Sequence, residues 1–163
     1  MPTAIRTRRA EPADADRITQ ILRESITQLC VADHGNRTVP LALWLANKTV
    51  ANISKWIDDP GATMLVAQIG PDLAAVGAIT GSGVVTLNYV APEFRKKGLS
   101  KAMVRALERE ALRLGLTEIA LDSTLTALRF YRSLGFADRG PPGEKHELPN
   151  FPLGKSLAGM GLG

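Results

Sequence analysis

One cysteine, two histidines and 5% aromatic residues among 163 positions leave several classes of protein without the residues they need. A lone Cys30 cannot close an internal disulfide, and with His34 and the distant His146 it makes a poor set of metal ligands. Neither a disulfide scaffold nor a metal site is therefore expected. Cys30 reads as a packing residue in a chain suited to a reducing compartment, the cytoplasm. No apolar run approaches the roughly 20 residues of a membrane span, and the opening M-P-T-A-I-R-T-R-R-A lacks the apolar core of a signal peptide. A net charge of +4 suits an anionic partner. With no aromatic stripe interleaved with Lys or Arg for bases to stack on, that partner reads as a small polyanion and not as nucleic acid.

Hydrophobic residues at 45% against 22% charged, in a chain of this length, suffice for a single domain with a sizeable core. The domain is set at residues 1–158, and Gly159, Gly161 and Gly163 mark 159–163 as a flexible tail. Weak alternation over 4–9 predicts a first strand. Pro12 and Asp14 then open a helix whose apolar residues Ile18, Ile21, Leu22, Ile26 and Leu29 recur at helical spacing. The turn formers of V-A-D-H-G-N-R-T, residues 31–38, interrupt that pattern. A second helical region carries Leu41, Trp44 and Leu45, and Thr49 caps a further turn or two that Asp58-Asp59-Pro60-Gly61 stops.

From there the period becomes that of strands. Residues 64–69, 73–80 and 84–90 are short β-rich runs separated by Gly70-Pro71-Asp72 and Gly81-Ser82-Gly83, and they predict an antiparallel meander. A helix over 99–114 ended by Gly115, a strand at 118–121, a short helix at 125–134, a strand at 136–138 and a last strand near 151–157 complete the chain. This order predicts an α/β (α+β) fold with a mixed, mostly antiparallel central sheet, flanked by helices on both faces.

Between the third strand of the meander and the long helix lies L-N-Y-V-A-P-E-F-R-K-K-G-L-S-K. Pro92 ends the strand, Arg95, Lys96 and Lys97 bring three cations to the turn, and Gly98 removes the side chain that would block approach to the backbone. Unpaired N–H groups at a helix start carry partial positive charge, so cations there are opposed by the dipole unless an anion sits between them. A solvated charge run is the plainer alternative; the misplaced cations favour a phosphate-bearing ligand. A Walker loop does not fit, because Gly98 is followed by Leu99-Ser100-Lys101. Nor does a dinucleotide fingerprint, since Gly81-Ser82-Gly83 continues into Val84-Val85-Thr86 without a third glycine.

The spacing Arg95-x-x-Gly98-x-Ser100 resembles the Arg/Gln-x-x-Gly-x-Gly/Ala signature of the GNAT superfamily of acyl-CoA N-acyltransferases, with serine where that family prefers glycine or alanine. Downstream, Ala127-Leu128-Arg129-Phe130-Tyr131-Arg132-Ser133-Leu134-Gly135-Phe136 resembles the family's A-x-x-F-Y-x-x-x-G-F segment. The resemblance covers nearly the whole chain in its order of elements, and its specific motifs lie in the second half. It implies acetyl-CoA as co-substrate, entering a gap where the strand before the basic loop and the strand after the long helix splay apart.

On this resemblance Tyr89, Val90, Arg95, Lys96, Lys97, Gly98, Leu99, Ser100 and Lys101 hold the cofactor, together with Ser123, Thr126, Phe130 and Tyr131. Thr126 stands where many relatives carry asparagine. The backbone N–H near Val90 is expected at the thioester carbonyl, and Tyr131 is expected to be the general acid that serves the leaving thiolate. Asp33, His34, Trp44 and Asn88 are expected at the acceptor site. Many relatives place a glutamate on the strand before the loop, whereas Thr86-Leu87-Asn88 offers no carboxylate; the base is left open, with Asp33 and His34 as candidates. The implied activity is transfer of an acetyl group to a small-molecule or peptide amine by direct attack in a ternary complex. The alternative is a catalytically idle module of the same fold that binds coenzyme A for sensing or protein interaction. A homodimer is left open.

Overall fold

A computed structural model describes residues 4–160 of the chain. Strand β1 (Ile5–Arg9) leads through a tight turn at Pro12–Asp14 into helix α1 (Ala15–Leu29). Proline's fixed φ suits a first helical position, and Asp14 accepts the Glu11 N–H at 2.8 Å. Helix α1 buries Ile18, Ile21, Leu22 and Ile26 completely, the stripe that their spacing predicts. Three shorter helices follow, α2 (Val31–His34), α3 (Thr38–Leu45) and α4 (Val50–Asp58). Segment 31–38, expected as irregular, begins with a helical turn, because Gly35 takes a φ of 55° and its N–H closes on the Val31 carbonyl. The expected cap at Thr49 is present: its hydroxyl accepts the Asn52 N–H at 3.2 Å.

Strands β2 (Ala62–Ile69), β3 (Asp72–Thr80) and β4 (Val85–Val90) join β1 in an antiparallel sheet ordered β1-β2-β3-β4. Alternation along these strands sends one set of side chains to each face. Met64, Val66 and Val76 pack with Ile18, Ile21, Leu22 and Ile53 of α1 and α4. Leu65, Ala67, Ala75 and Ile79 pack with Leu99, Met103 and Leu107 on the other face, from helix α5 (Leu99–Arg113). Gly77 has a packing reason: a Cβ there would lie 2.6 Å from Met103 Sδ, so α5 rides against the bare backbone of β3.

After α5 come β5 (Glu118–Ser123), α6 (Leu128–Ser133), β6 (Ala137–Asp138), β7 (Gly143–Lys145) and β8 (Leu148–Ser156). Strand β8 pairs antiparallel with β5, β6 and β7, forming a second sheet. Among the described residues the two sheets are joined by the parallel bridge between Val84 and Ala120 alone. Beyond that bridge β4 and β5 diverge, the splay that the resemblance implied.

The differences from expectation are local. The helix expected over 125–134 spans only Leu128–Ser133, because Thr124 to Ala127 is held as a turn, with Thr124 Oγ1 accepting the Ala127 N–H at 3.1 Å. The last strand begins earlier than expected, at Leu148, and β7 was not expected at all. Of the five residues expected as a tail, Gly159 and Met160 are described. The Met160 N–H donates to the Leu157 carbonyl at 3.0 Å and its side chain packs on the core. Residues 161–163 lie outside the described residues.

Candidate active site in the split between the sheets

The basic loop takes the backbone that its glycine predicts. Lys96 and Gly98 adopt φ of 64° and 82°, and turns with left-handed residues of this kind make successive N–H groups converge. Among the described residues the N–H groups from Lys96 to Lys101 have no protein acceptor, while Ala102 is the first to bond back, to the Gly98 carbonyl at 3.0 Å. A Cβ built at Gly98 meets nothing within 4 Å, so the space in front of it is open. Arg95, Lys96, Lys97 and Lys101 are exposed and none pairs with a carboxylate among the described residues. Leu99 is buried in the core and offers the site only its N–H. A row of open donors at the start of a 15-residue helix, flanked by unpaired cations, suits a polyphosphate.

From Ser100 a cleft of about 320 Å³ runs down the split, lined by Asn88, Tyr89, Val90, Phe130 and Tyr131 among others. The Ala91 N–H donates to the Ala74 carbonyl at 2.8 Å. Antiparallel ladder bonds alternate from one edge of a strand to the other, so the N–H groups of Val90 and Asn88 point away from β3, into the split. Tyr131 is 7% exposed and packs between Phe130 and Phe136, with ring centroids 5.2 and 5.3 Å away. Asn88 Nδ2 donates to the Tyr131 hydroxyl at 3.1 Å, which occupies a lone pair and leaves the phenol's own proton free. Burial pushes that phenol up to about 12, so it keeps its proton at neutral pH. Asn88 Oδ1 is buried without a partner. With the amide donating to Tyr131, this oxygen remains as an acceptor for a ligand.

Cys30 also lines this cleft, and burial, followed by the charge of Asp33, pushes its thiol up to about 12. It is a thiol at neutral pH and a poor nucleophile.

On the other side of Thr86, Leu87 and Tyr89 lies a second cavity of about 120 Å³, walled by Trp44, Ser123 and the β7–β8 turn. The Trp44 Nε1–H donates to the Tyr89 hydroxyl at 3.3 Å, and burial raises the Tyr89 phenol well above its usual range. Ser123 is buried, its hydroxyl donating to the Thr124 carbonyl at 2.8 Å. Trp44 thus lines this second cavity, and Asn88 the adjoining cleft.

His34 does not reach either cavity. It is fully buried, Nε2–H donating to the Ile26 carbonyl at 2.8 Å and Nδ1 accepting the Asn36 N–H at 2.9 Å. With both ring nitrogens engaged it holds α2 onto α1, and the expectation of a base or acceptor ligand is corrected. Asp33 borders the second cavity, but its carboxylate accepts the N–H groups of Leu125 at 2.6 Å and Thr126 at 3.1 Å, and the Thr126 hydroxyl. Asp33 is thereby tied to the turn before α6 and is a poor candidate base.

Sequence reasoning passed over Asp122, which lines both cavities from β5, and Lys48, Lys145 and His146, which line the second. The pattern of β5, with alternate residues buried, was the signal that could have placed Asp122 on an open face. Among the described residues no group of three or more His, Cys, Asp or Glu is placed to hold a metal. Among the described residues no helix is long and apolar enough to cross a membrane.

Comparison with known proteins agrees with this fold. The chain is similar to an IAA acetyltransferase of Azospirillum brasilense, 33% identical over 92 residues that make up 52% of this chain and 60% of that protein. It thus matches less than two thirds of that relative's length. The fold is that of a GCN5-related N-acetyltransferase structure from Rhodopseudomonas palustris, with a TM-score of 0.85 at 21% identity over 96% of this chain and 98% of that one. It is also that of a PaiA N-acetyltransferase from Thermoplasma acidophilum solved in complex with coenzyme A, with a TM-score of 0.80 at 18% identity over 94% and 99%. The family model described as an acetyltransferase (GNAT) domain matches residues 42–157, which span β2 to β8 and so both strands of the split, β4 and β5. The chain belongs to the GNAT acetyltransferase family.

Proposed function

We propose that the protein is an N-acetyltransferase that moves the acetyl group of acetyl-CoA to an amine by direct attack in a ternary complex. The observation that carries this reading is the Tyr131 hydroxyl, protonated, held by Asn88 and facing the same cleft as Ser100 at the start of α5. The open N–H groups from Lys96 to Lys101 bind the pyrophosphate, with Arg95, Lys96, Lys97 and Lys101 adding charge. Val90 and Tyr89 border the pantetheine arm, Phe130 packs beside it, and Ser123 and Thr126 shape the far wall.

In the reaction the amine nitrogen forms a bond to the thioester carbon and the carbon–sulfur bond breaks. The Val90 N–H is aimed where the oxyanion develops. Tyr131 gives its proton, or a strong hydrogen bond, to the sulfur as it leaves. Asp122 is the carboxylate that lines both cavities, and it takes the proton that the ammonium loses, directly or through a water. Cys30, kept as a thiol, does not carry the acetyl group, which supports direct attack over a covalent relay.

The test is an amine panel with acetyl-CoA, read by free thiol and by mass of the product. One thiol released for each amine acetylated is expected. Binding of acetyl-CoA with no amine acetylated would show an idle coenzyme A module instead.

A further inference from the structure

The second cavity carries a charge that transfer chemistry alone does not require. Lys48 is 6% exposed, yet its ammonium meets only neutral acceptors, the Trp44 carbonyl at 3.3 Å and Asn47 Oδ1 at 2.6 Å. An ammonium has three donors, and the third is unaccounted for. Lys145 and His146 line the same cavity from the β7–β8 turn. None of the three forms an ion pair among the described residues. They also crowd one another: burial and then Lys145 draw Lys48 down to about 8, and burial, Lys145 and Lys48 draw His146 below its usual value. The acids that share this cavity do not answer them. Asp33 is taken up by the Leu125 and Thr126 amides, and Asp122 stands on β5, at the split.

A buried ammonium kept beside the ammonium of Lys145 is costly unless an anion completes the site, to which the neutral His146 ring adds a hydrogen-bond donor. We infer that Lys48, Lys145 and His146 form an anion subsite for the acceptor, so that the accepted amine also carries an acid group, a carboxylate above all. This rests on the acetyl-transfer reading and narrows it. The cavity is bipolar: the acid meets Lys48 and Lys145, and the amine meets Asp122 toward the thioester. Trp44 and Tyr89 add aromatic rings to its lining. At about 120 Å³ the cavity takes a small molecule.

The experiment compares valine, β-alanine and 4-aminobutanoate each with its own amide, for binding in the presence of coenzyme A and for turnover with acetyl-CoA. Tryptophan fluorescence reads binding. At least one acid is expected to bind about tenfold or more tightly than its amide, and Lys48→Met and Lys145→Met should each shrink that ratio. Lys145 is exposed, so its variant guards against a folding defect at Lys48. Equal binding of acid and amide in all three pairs, or a ratio untouched in both variants, overturns the subsite. If the ratio holds while no pair yields free thiol, the subsite stands and the transfer reading is what fails.

Discussion

Lys155 Nζ lies 2.5 Å from Glu108 Oε2 and joins β8 to α5. Glu108 is fully buried, and its other oxygen takes Arg105 at 2.7 Å. Lys155 also stands 5.8 Å above the Phe136 ring, the ring that packs on Tyr131. This ion cluster therefore fixes the second sheet against α5, the helix at whose start the cofactor is proposed to bind. Removing one partner of a buried pair strands the other charge, so Glu108→Ala should cost about 3–5 kcal/mol. Urea unfolding would measure it, and a loss below about 1 kcal/mol would mean that the cluster is solvated in solution. The double variant Glu108→Leu with Lys155→Met should recover most of the loss.

Gly98→Val should separate folding from ligand binding. The left-handed backbone at φ 82° strains a branched residue, at a cost of about 1–3 kcal/mol, but its Cβ meets no protein atom within 4 Å. It projects into the space where the phosphates are expected. Acetyl-CoA at about 100-fold its Kd should stabilise the native protein by about 2.7 kcal/mol, read as a rise in Tm. The variant should fold and lose that rise. An undiminished rise would place the cofactor elsewhere.

Lys48 has a signature in pH. Its ammonium is drawn down to about 8 from an ordinary 10.5, so between those values the unfolded chain binds the extra proton and stability rises with pH. The penalty of the buried charge is fully present below about 8. Lys48→Met without ligand should therefore be more stable than the native protein at pH 7, and the gap should narrow toward pH 10. A gap that does not change with pH would show that Lys48 is solvated.

Much of this was legible in the chain. The meander, α1, α5 and the Gly98 turn follow from apolar period and glycine placement, which are local properties. His34 was not, because its burial depends on α2 folding back to the Ile26 carbonyl, a contact between elements. Strand β7 was missed since Gly143, Glu144 and Lys145 are all exposed and carry no alternation. Its turn uses His146 and Glu147 at positive φ, where no glycine gives the turn away. Lys48 and Asp122 read as ordinary charged residues; only the packing of α3, β5 and the β7–β8 turn around one cavity gives them a task.

The acetyl-transfer account turns on the free proton of Tyr131, and single-turnover kinetics of Tyr131→Phe test it most directly. Enzyme in excess over acetyl-CoA, mixed with an accepted amine, reports the chemical step alone. Proton delivery to a leaving group typically contributes 10²- to 10⁴-fold, so the variant's rate should fall by about that range. Its acetyl-CoA affinity should hold, because the ring and its contacts with Phe130 and Phe136 remain. A single-turnover rate equal to that of the native protein would contradict the account.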